Sequence, residues 1–288
     1  MRVSVSSSYS DCEEGQRLKR RGRFFFVKPV RIGCVKYLNA RPLIHGWSGG
    51  TVDFDHPAAL CRKLDRGALD VALVSSLEFL RRPIYRIVDG ISISSRGEVY
   101  SVIVAHGGKL ACIEQIELDP ASETSVALLR CLLAQRGLSP RLVRNIDFES
   151  VPGLQPAAPP QGARLLIGDQ AIRFREKYRD YSVWDLGEEW SDVAHLPFVF
   201  ALWLIRPEVS EAEKIADALR ELRGRNLQNL DDLVSSQTRV SPEFCRKYYR
   251  EYLFFDFGER EKAGLREFHR RCLLNKLDVT AELRLSLV

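Results

Sequence analysis

The chain has 288 residues, 45% hydrophobic and 28% charged, the proportions of a folded globular protein with room for about two domains. Its formal net charge of +5 is lopsided: seven basic against three acidic side chains between residues 1 and 29 supply four of those charges, and the nearly neutral remainder gives no case for nucleic-acid binding. No run approaches the roughly 18 apolar residues that a bilayer requires, and the seven cysteines lack CxxC or metal-knuckle spacing, as expected of reduced thiols in the cytoplasm.

In chain order, residues 1–28 read as a disordered extension. A basic run, Leu18–Arg23, precedes only four apolar residues, Phe24–Val27, where a secretory signal needs about 7–15. Val30, Ile32 and Cys34 then alternate with Arg31 and Gly33, predicting a first strand. Pro42 suits the first turn of a helix. Asn39 therefore falls between the carboxyl end of a strand and a helix N-terminus, where open α/β sheets bind ligands and where free N–H groups favour anions. It also reads as a residue that only caps the turn.

Strands are predicted over Thr51–Phe54, Asp70–Val74 and Tyr85–Val88, with a helix over Pro57–Leu64 beginning near His56 and a helical turn over Glu78–Arg81. Ile91–Gly97 breaks into polar residues before a strand over Ser101–Ala105. A second unit follows: a strand over Ile116–Leu118, a helix over Val126–Gln135, a strand over Arg141–Asp147, a proline-rich loop over Gln155–Gly162, and a strand over Arg164–Ile167 that ends at Gly168-Asp169 before the helix Gln170–Lys177. Asp185, Glu188 and Glu189 read as a charged face ahead of the apolar strand Phe198–Ile205. After Pro207 the chain reads as helical to its end, with Ser210 capping a helix over Glu211–Arg223, and later helices starting at Asn229, Ser241 and Glu259. Tyr248, Tyr249 and Tyr252 read as core packing.

Alternating strands and helices imply largely parallel sheets covered on both faces. The two long apolar strands flank the second unit as paired crossovers. The fold class expected is α/β and two-lobed: a larger lobe from 29–102 and 203–288, a smaller lobe, 103–202, inserted into it, and a hinge that closes them on a solute. Three turns share small hydroxyl residues: Ser75-Ser76, Ser94-Ser95-Arg96-Gly97 and Ser122-Glu123-Thr124-Ser125. With Asn39 and Arg41 they suggest a pocket for a small polyanion, though each alone fits ordinary capping. Arg96 is open between a carboxylate clamp and a solvated side chain, and Asp169 between a helix cap and a cleft carboxylate. No nucleophile–base pairing and no glycine-rich nucleotide loop can be read from the chain.

Arg31-Ile32-Gly33…Tyr37-Leu38-Asn39…Arg41-Pro42-Leu43 resembles the opening signature of the menaquinone-biosynthetic chorismate dehydratases of the futalosine pathway. The resemblance continues in order at 69–74, 92–97, 118–125, 166–169, 184–190 and 196–201. It implies a periplasmic-binding-protein-like (type II) fold with a C-terminal helical segment, and dehydration of chorismate to 3-[(1-carboxyvinyl)oxy]benzoate without metal or organic cofactor. Chorismate, a small dicarboxylate, suits the polyanion pocket. Asn39 is then expected to be catalytic, and Arg41, Ser75, Ser76, Ser94, Ser95, Arg96, Ser122, Thr124, Ser125 and Asp169 to hold substrate. His56 and Asp169 are the candidates for a protein base; the substrate's own enolpyruvyl carboxylate is the alternative. A solute-binding protein and the enzyme making 1,4-dihydroxy-6-naphthoate are the opposing readings. The chain departs from the pattern at Lys36 and Ala40, where Ser and Thr are expected, at Ser75 (Pro) and at His195 (Gly).

Overall fold

The computed structural model describes residues 26–119, 122–144 and 162–288. The extension up to residue 25, the end of the strand expected over 141–147, and the proline-rich stretch except Gly162 lie outside them. The first sheet contains β1 (Val30–Cys34), β2 (Gly50–Phe54), β3 (Val71–Ser75), β4 (Arg86–Ser95) and, from much later in the chain, β10 (Phe198–Ile205). The second holds β5 (Val102–His106), β6 (Gln115–Leu118), β7 (Arg141–Arg144), β8 (Ala163–Ile167) and β9 (Ser182–Asp185). Strand orders are β2-β1-β3-β10-β4 and β7-β6-β8-β5-β9.

Helices α1 (Arg41–Ile44), α2 (Pro57–Asp65) and α3 (Ser76–Arg81) connect the strands of the first sheet, α4 (Glu123–Gln135) and α5 (Gly168–Lys177) those of the second, and α6 (Leu186–Ala194) leads from β9 back to β10. The C-terminal segment adds α7 (Ala212–Gln228), α8 (Leu230–Ser235), α9 (Pro242–Lys247), a π-helical turn over Tyr248–Tyr252, and α10 (Glu259–Leu274). α7 packs on α1 and β4, and α10 on β10.

Parallel pairing holds for β1 with β2 and β3, and for β6 with β7 and β8. The two apolar strands break the rule. β10 runs antiparallel to β3 and β4, and β5 antiparallel to β8 and β9. The reason is topological: the parallel strands end at the cleft, and a chain arriving from the other lobe must start its strand there. The crossovers themselves are the short segments 96–101 and 195–197, not the strands, which are fully engaged in one sheet each.

Three further differences from expectation have local causes. Ile91–Ser95 is not a polar turn but the second half of β4, whose edge is covered by the segment after the π turn: Ser94 and Phe254 exchange backbone hydrogen bonds, each of 2.9 Å. The chain is not helical to its end, because its last residues lie beside β4, with Ile87 N donating to Ser286 O (2.7 Å) and Asp89 N to Val288 O (2.8 Å). Helix α7 is preceded by Glu211 and has no side-chain cap from Ser210, the Glu211 carboxylate being turned to Lys214 and Val27 N.

Candidate active site

A cleft of about 670 Å³, counted to its open mouth, lies between the sheets. Both lobes line it with the ends of their strands: Val35, Tyr37 and Asn39 after β1, Leu73–Ser75 of β3, Ile167 at the end of β8 with Gly168 beyond it, and the first turn of α4. Ile93, Val102, Phe200 and Leu253 make the rest of the wall largely apolar. Among the described residues no charged side chain lines the cleft.

Asn39 sits in a single 3-10 turn, Leu38–Ala40, closed by Ala40 N donating to Tyr37 O (3.2 Å). Pro42 then starts α1, where its missing N–H costs nothing. The buried Tyr249 hydroxyl donates to Leu38 O (2.9 Å) and holds the turn from beneath. Asn39 Oδ1 is buried with no hydrogen-bond partner among the described residues. A buried acceptor left unpaired in this way costs about 1–3 kcal/mol, so a ligand that donates to it is favoured.

Across the cleft, the Ser122 hydroxyl caps α4, accepting from Ser125 N and donating to Ser125 Oγ (2.7 Å). Thr124 Oγ1 accepts from Leu77 N (3.1 Å) and is hydrogen-bonded to Ser75 Oγ. Ser75, where the resemblance led proline to be expected, thus adds a hydroxyl contact between the lobes that proline could not make. The free N–H groups and dipole of α4 add positive potential without a formal charge.

Of the residues expected to hold substrate, Ser75, Ser122, Thr124 and Ser125 line the cleft, as does Asn39. The others do not. Arg41 donates to Ser236 Oγ (2.6 Å) and its backbone carbonyl on the outer side. Arg96 is paired with Glu261, 3.1 Å away and buried, and lies over the Phe254 ring, so it is neither a substrate clamp nor merely solvated. Ser76 donates to Val199 O (2.7 Å) and Ser94 to Phe254 O (3.1 Å), both inside the first sheet's surroundings. Ser95 is buried outside the lining, its hydroxyl close to where Gly187 would carry a Cβ. His56 is exposed at the start of α2. Asp169 is at the cleft rim and faces Leu38 N and Arg239.

Sequence reasoning missed Ser101, Gly168 and the role of the C-terminal tyrosines. The Tyr248 hydroxyl donates to Ser101 Oγ (2.7 Å), and Gly168 N to Ser101 O (2.7 Å). Gly168 has φ +54°, and a Cβ there would come within 3.2 Å of the Tyr37 ring, so only glycine allows the close lobe–lobe approach. The polar start of an otherwise apolar strand was the available signal for Ser101. Asp185 is not part of a charged face either: it is buried, caps α6 through Gly187 N and Glu188 N, and accepts from Val99 N (3.0 Å) and Tyr100 N (2.8 Å) of the first crossover. Burial pushes its carboxyl up to about 6. Glu189 is likewise buried, paired with Arg136 and accepting from Trp184 Nε1 (3.0 Å).

Among the described residues no three His, Cys, Asp or Glu side chains converge as a metal site, and no helix is long and apolar enough to cross a membrane.

Residues 30–273 match the model of a family described as menaquinone biosynthesis. A chorismate dehydratase of Thermus thermophilus is 31% identical over 263 residues, covering 84% of this chain and 94% of that protein. Among solved structures, a protein of Archaeoglobus fulgidus superposes with a TM-score of 0.65 at 17% identity, covering 86% of this chain and 97% of that one. The periplasmic aliphatic sulphonate binding protein of Escherichia coli superposes with a TM-score of 0.56 at 12% identity, covering 89% and 93%. The fold is therefore the two-lobed, periplasmic-binding-protein-like α/β fold.

Proposed function

The chain belongs to the menaquinone-biosynthesis family, and from that membership we propose that it is a chorismate dehydratase, a hydro-lyase that forms 3-[(1-carboxyvinyl)oxy]benzoate and water. The same reading assigns the reaction to the futalosine pathway and the enzyme to the cytoplasm. The observation that carries it in this chain is the cleft itself. An unpartnered Asn39 Oδ1 and the hydroxyl-lined start of α4 flank an apolar space that no charged side chain of the described residues lines. That suits a small ring acid held by neutral donors.

Dehydration removes the ring hydroxyl and the hydrogen on the neighbouring ring carbon, which also bears the enolpyruvyl ether. The C–H electron pair becomes part of the aromatic ring as the C–O bond breaks, and hydroxide leaves with the proton as water. The hydrogen is vinylogous to the ring carboxylate, so charge develops on the carboxylate oxygens. The Ser125 hydroxyl, itself held by Ser122, and the first-turn N–H groups of α4 that the Ser122 cap does not use are the preorganised donors we assign to it. Among the described residues no histidine or carboxylate lines the cleft, which favours the substrate's enolpyruvyl carboxylate as the base, folded over the ring where proximity replaces a protein group. Asn39, a neutral amide, orients that side chain or the departing hydroxyl. Incubating purified protein with chorismate and following the aromatic product by chromatography tests the reading. Binding without product would identify a solute-binding protein instead.

A further inference from the structure

Three contacts from outside the β1–α1 loop converge on the residues just before Asn39. Asp169 Oδ1, at the start of α5 in the second lobe, accepts from Leu38 N at 2.8 Å. Asp169 Oδ2 is paired with Arg239 Nη1 at 2.6 Å, and the same nitrogen donates to Lys36 O at 2.8 Å. Next to Asp169, the bare face of Gly168 lies against the Tyr37 ring. Arg239 comes from the segment between α8 and α9, which belongs to the first lobe. One carboxylate therefore ties two parts of the first lobe to the second.

We infer that Asp169 and Arg239 form a cross-lobe clasp that positions Asn39, so that the amide is aimed only when the lobes are shut. They are positioning residues: neither lines the cleft. The argument turns on what each contact can fix. Leu38 O is held by Tyr249 from within the first lobe, whatever the second lobe does. Leu38 N has its partner on Asp169, across the cleft. With Lys36 O and Leu38 N both held, the peptide planes flanking the turn are set, and Asn39 follows them directly. With the lobes apart, Leu38 N–H loses its partner to water, and Arg239 keeps Lys36 O but loses Asp169. A half-exposed ion pair alone is worth little. This one is stronger because the Asp169 side chain is only 13% exposed and both its oxygens are used.

The inference rests on the proposed role of Asn39 toward chorismate, so its test has two arms. Asp169→Ala and Arg239→Gln are each expected to lower kcat about threefold to thirtyfold, because only part of a lost charged hydrogen bond bears on the aim of Asn39, with KM changed less. In an Asn39→Ala background either change should cost less than twofold, because the clasp acts through Asn39. Equal losses in both backgrounds, losses confined to KM, or normal turnover in Arg239→Gln would overturn it. So would a loss of 10²–10⁴-fold in Asp169→Ala alone, the range of a missing general base. The second arm needs no substrate: hydrogen exchange at the Leu38 amide should speed up at least tenfold in both variants. Unchanged exchange would refute the clasp even if chorismate is turned over. Faster exchange in a protein inert toward chorismate would keep the clasp and discard the functional proposal.

Discussion

Asn39 carries the reading of the cleft because it lines the ligand space and its buried Oδ1 has no partner among the described residues. Replacing it by alanine removes one positioned hydrogen-bonding group, and we expect turnover to fall about tenfold to a thousandfold. Circular dichroism should be unchanged, since the turn is held by backbone and tyrosine contacts. Near-normal turnover would remove Asn39 from the mechanism. His195 shows the opposite case, a residue fitted poorly to its place. It ends α6 with φ +54°, a left-handed conformation that favours glycine, the residue expected there from the resemblance. His195→Gly should raise stability by about 0.5–1 kcal/mol, the steric relief being partly offset by the entropy of glycine. Urea midpoints at neutral pH measure the shift, and a lower midpoint would mean that the imidazole makes a contact of its own.

At the level of elements, the first crossover is bound to the second lobe. Asp185, at the junction of β9 and α6, accepts from two N–H groups of the crossover and two of its own helix. Arg175 of α5 is paired with Glu98 (2.6 Å) and stacks over the Tyr100 ring (3.9 Å). Tyr100 itself is held at φ +65°. Any hinge must therefore lie on the first-lobe side of Glu98. The Asp185 carboxyl, pushed up to about 6 by burial from an ordinary 3.8, holds its proton to a higher pH in the folded state than in the unfolded chain. Between about pH 4 and pH 6 the folded protein thus binds more protons, and this group's contribution to stability falls as pH rises through that window, by about 3 kcal/mol, then levels off. Asp185→Asn removes the titration. The stability of the unmodified protein relative to this variant, from denaturant unfolding at pH 4.5 and 7, should be smaller at pH 7. A pH-independent difference would show that the carboxyl is ionised throughout.

Over the whole molecule, the last residues of the chain return to the first lobe. Ser286–Val288 makes three backbone hydrogen bonds with Ile87 and Asp89 of β4, and Arg220 of α7 donates to Val288 O. β4 is thus covered along one edge by 254–255 and by 286–288 instead of being an open strand. Deleting Ser286–Val288 should lower unfolding free energy by about 2–4 kcal/mol, at roughly 1 kcal/mol per lost bond. Turnover of the folded fraction should be kept, because none of these residues reaches the cleft. An unchanged denaturation midpoint would show that the segment is not docked.

Most elements were legible because their signals are local: alternation in β1, Pro42 opening α1, Ser122 and Ser241 accepting the N–H groups of their helices. The signature around Asn39 and the hydroxyl run 122–125 were legible for the same reason, and they pointed to the two walls of the cleft. What a side chain faces across the fold was not legible. Arg96 and Glu261 are separated by 165 positions and Asp169 and Arg239 by 70, so nothing in their neighbourhoods announces the pairing. The charged residues of 185–189 read as solvated, yet tertiary contact buries Asp185 against the crossover and Glu189 against Arg136. Strand direction was hidden too. An apolar run has the same composition in either sense, and the entry of β5 and β10 from the cleft made them antiparallel. Sequence alone determined which residues turn, cap and alternate, because those are contests between neighbours. The tertiary structure decided which polar groups remain free for a ligand, because that depends on every partner the closed lobes bring together.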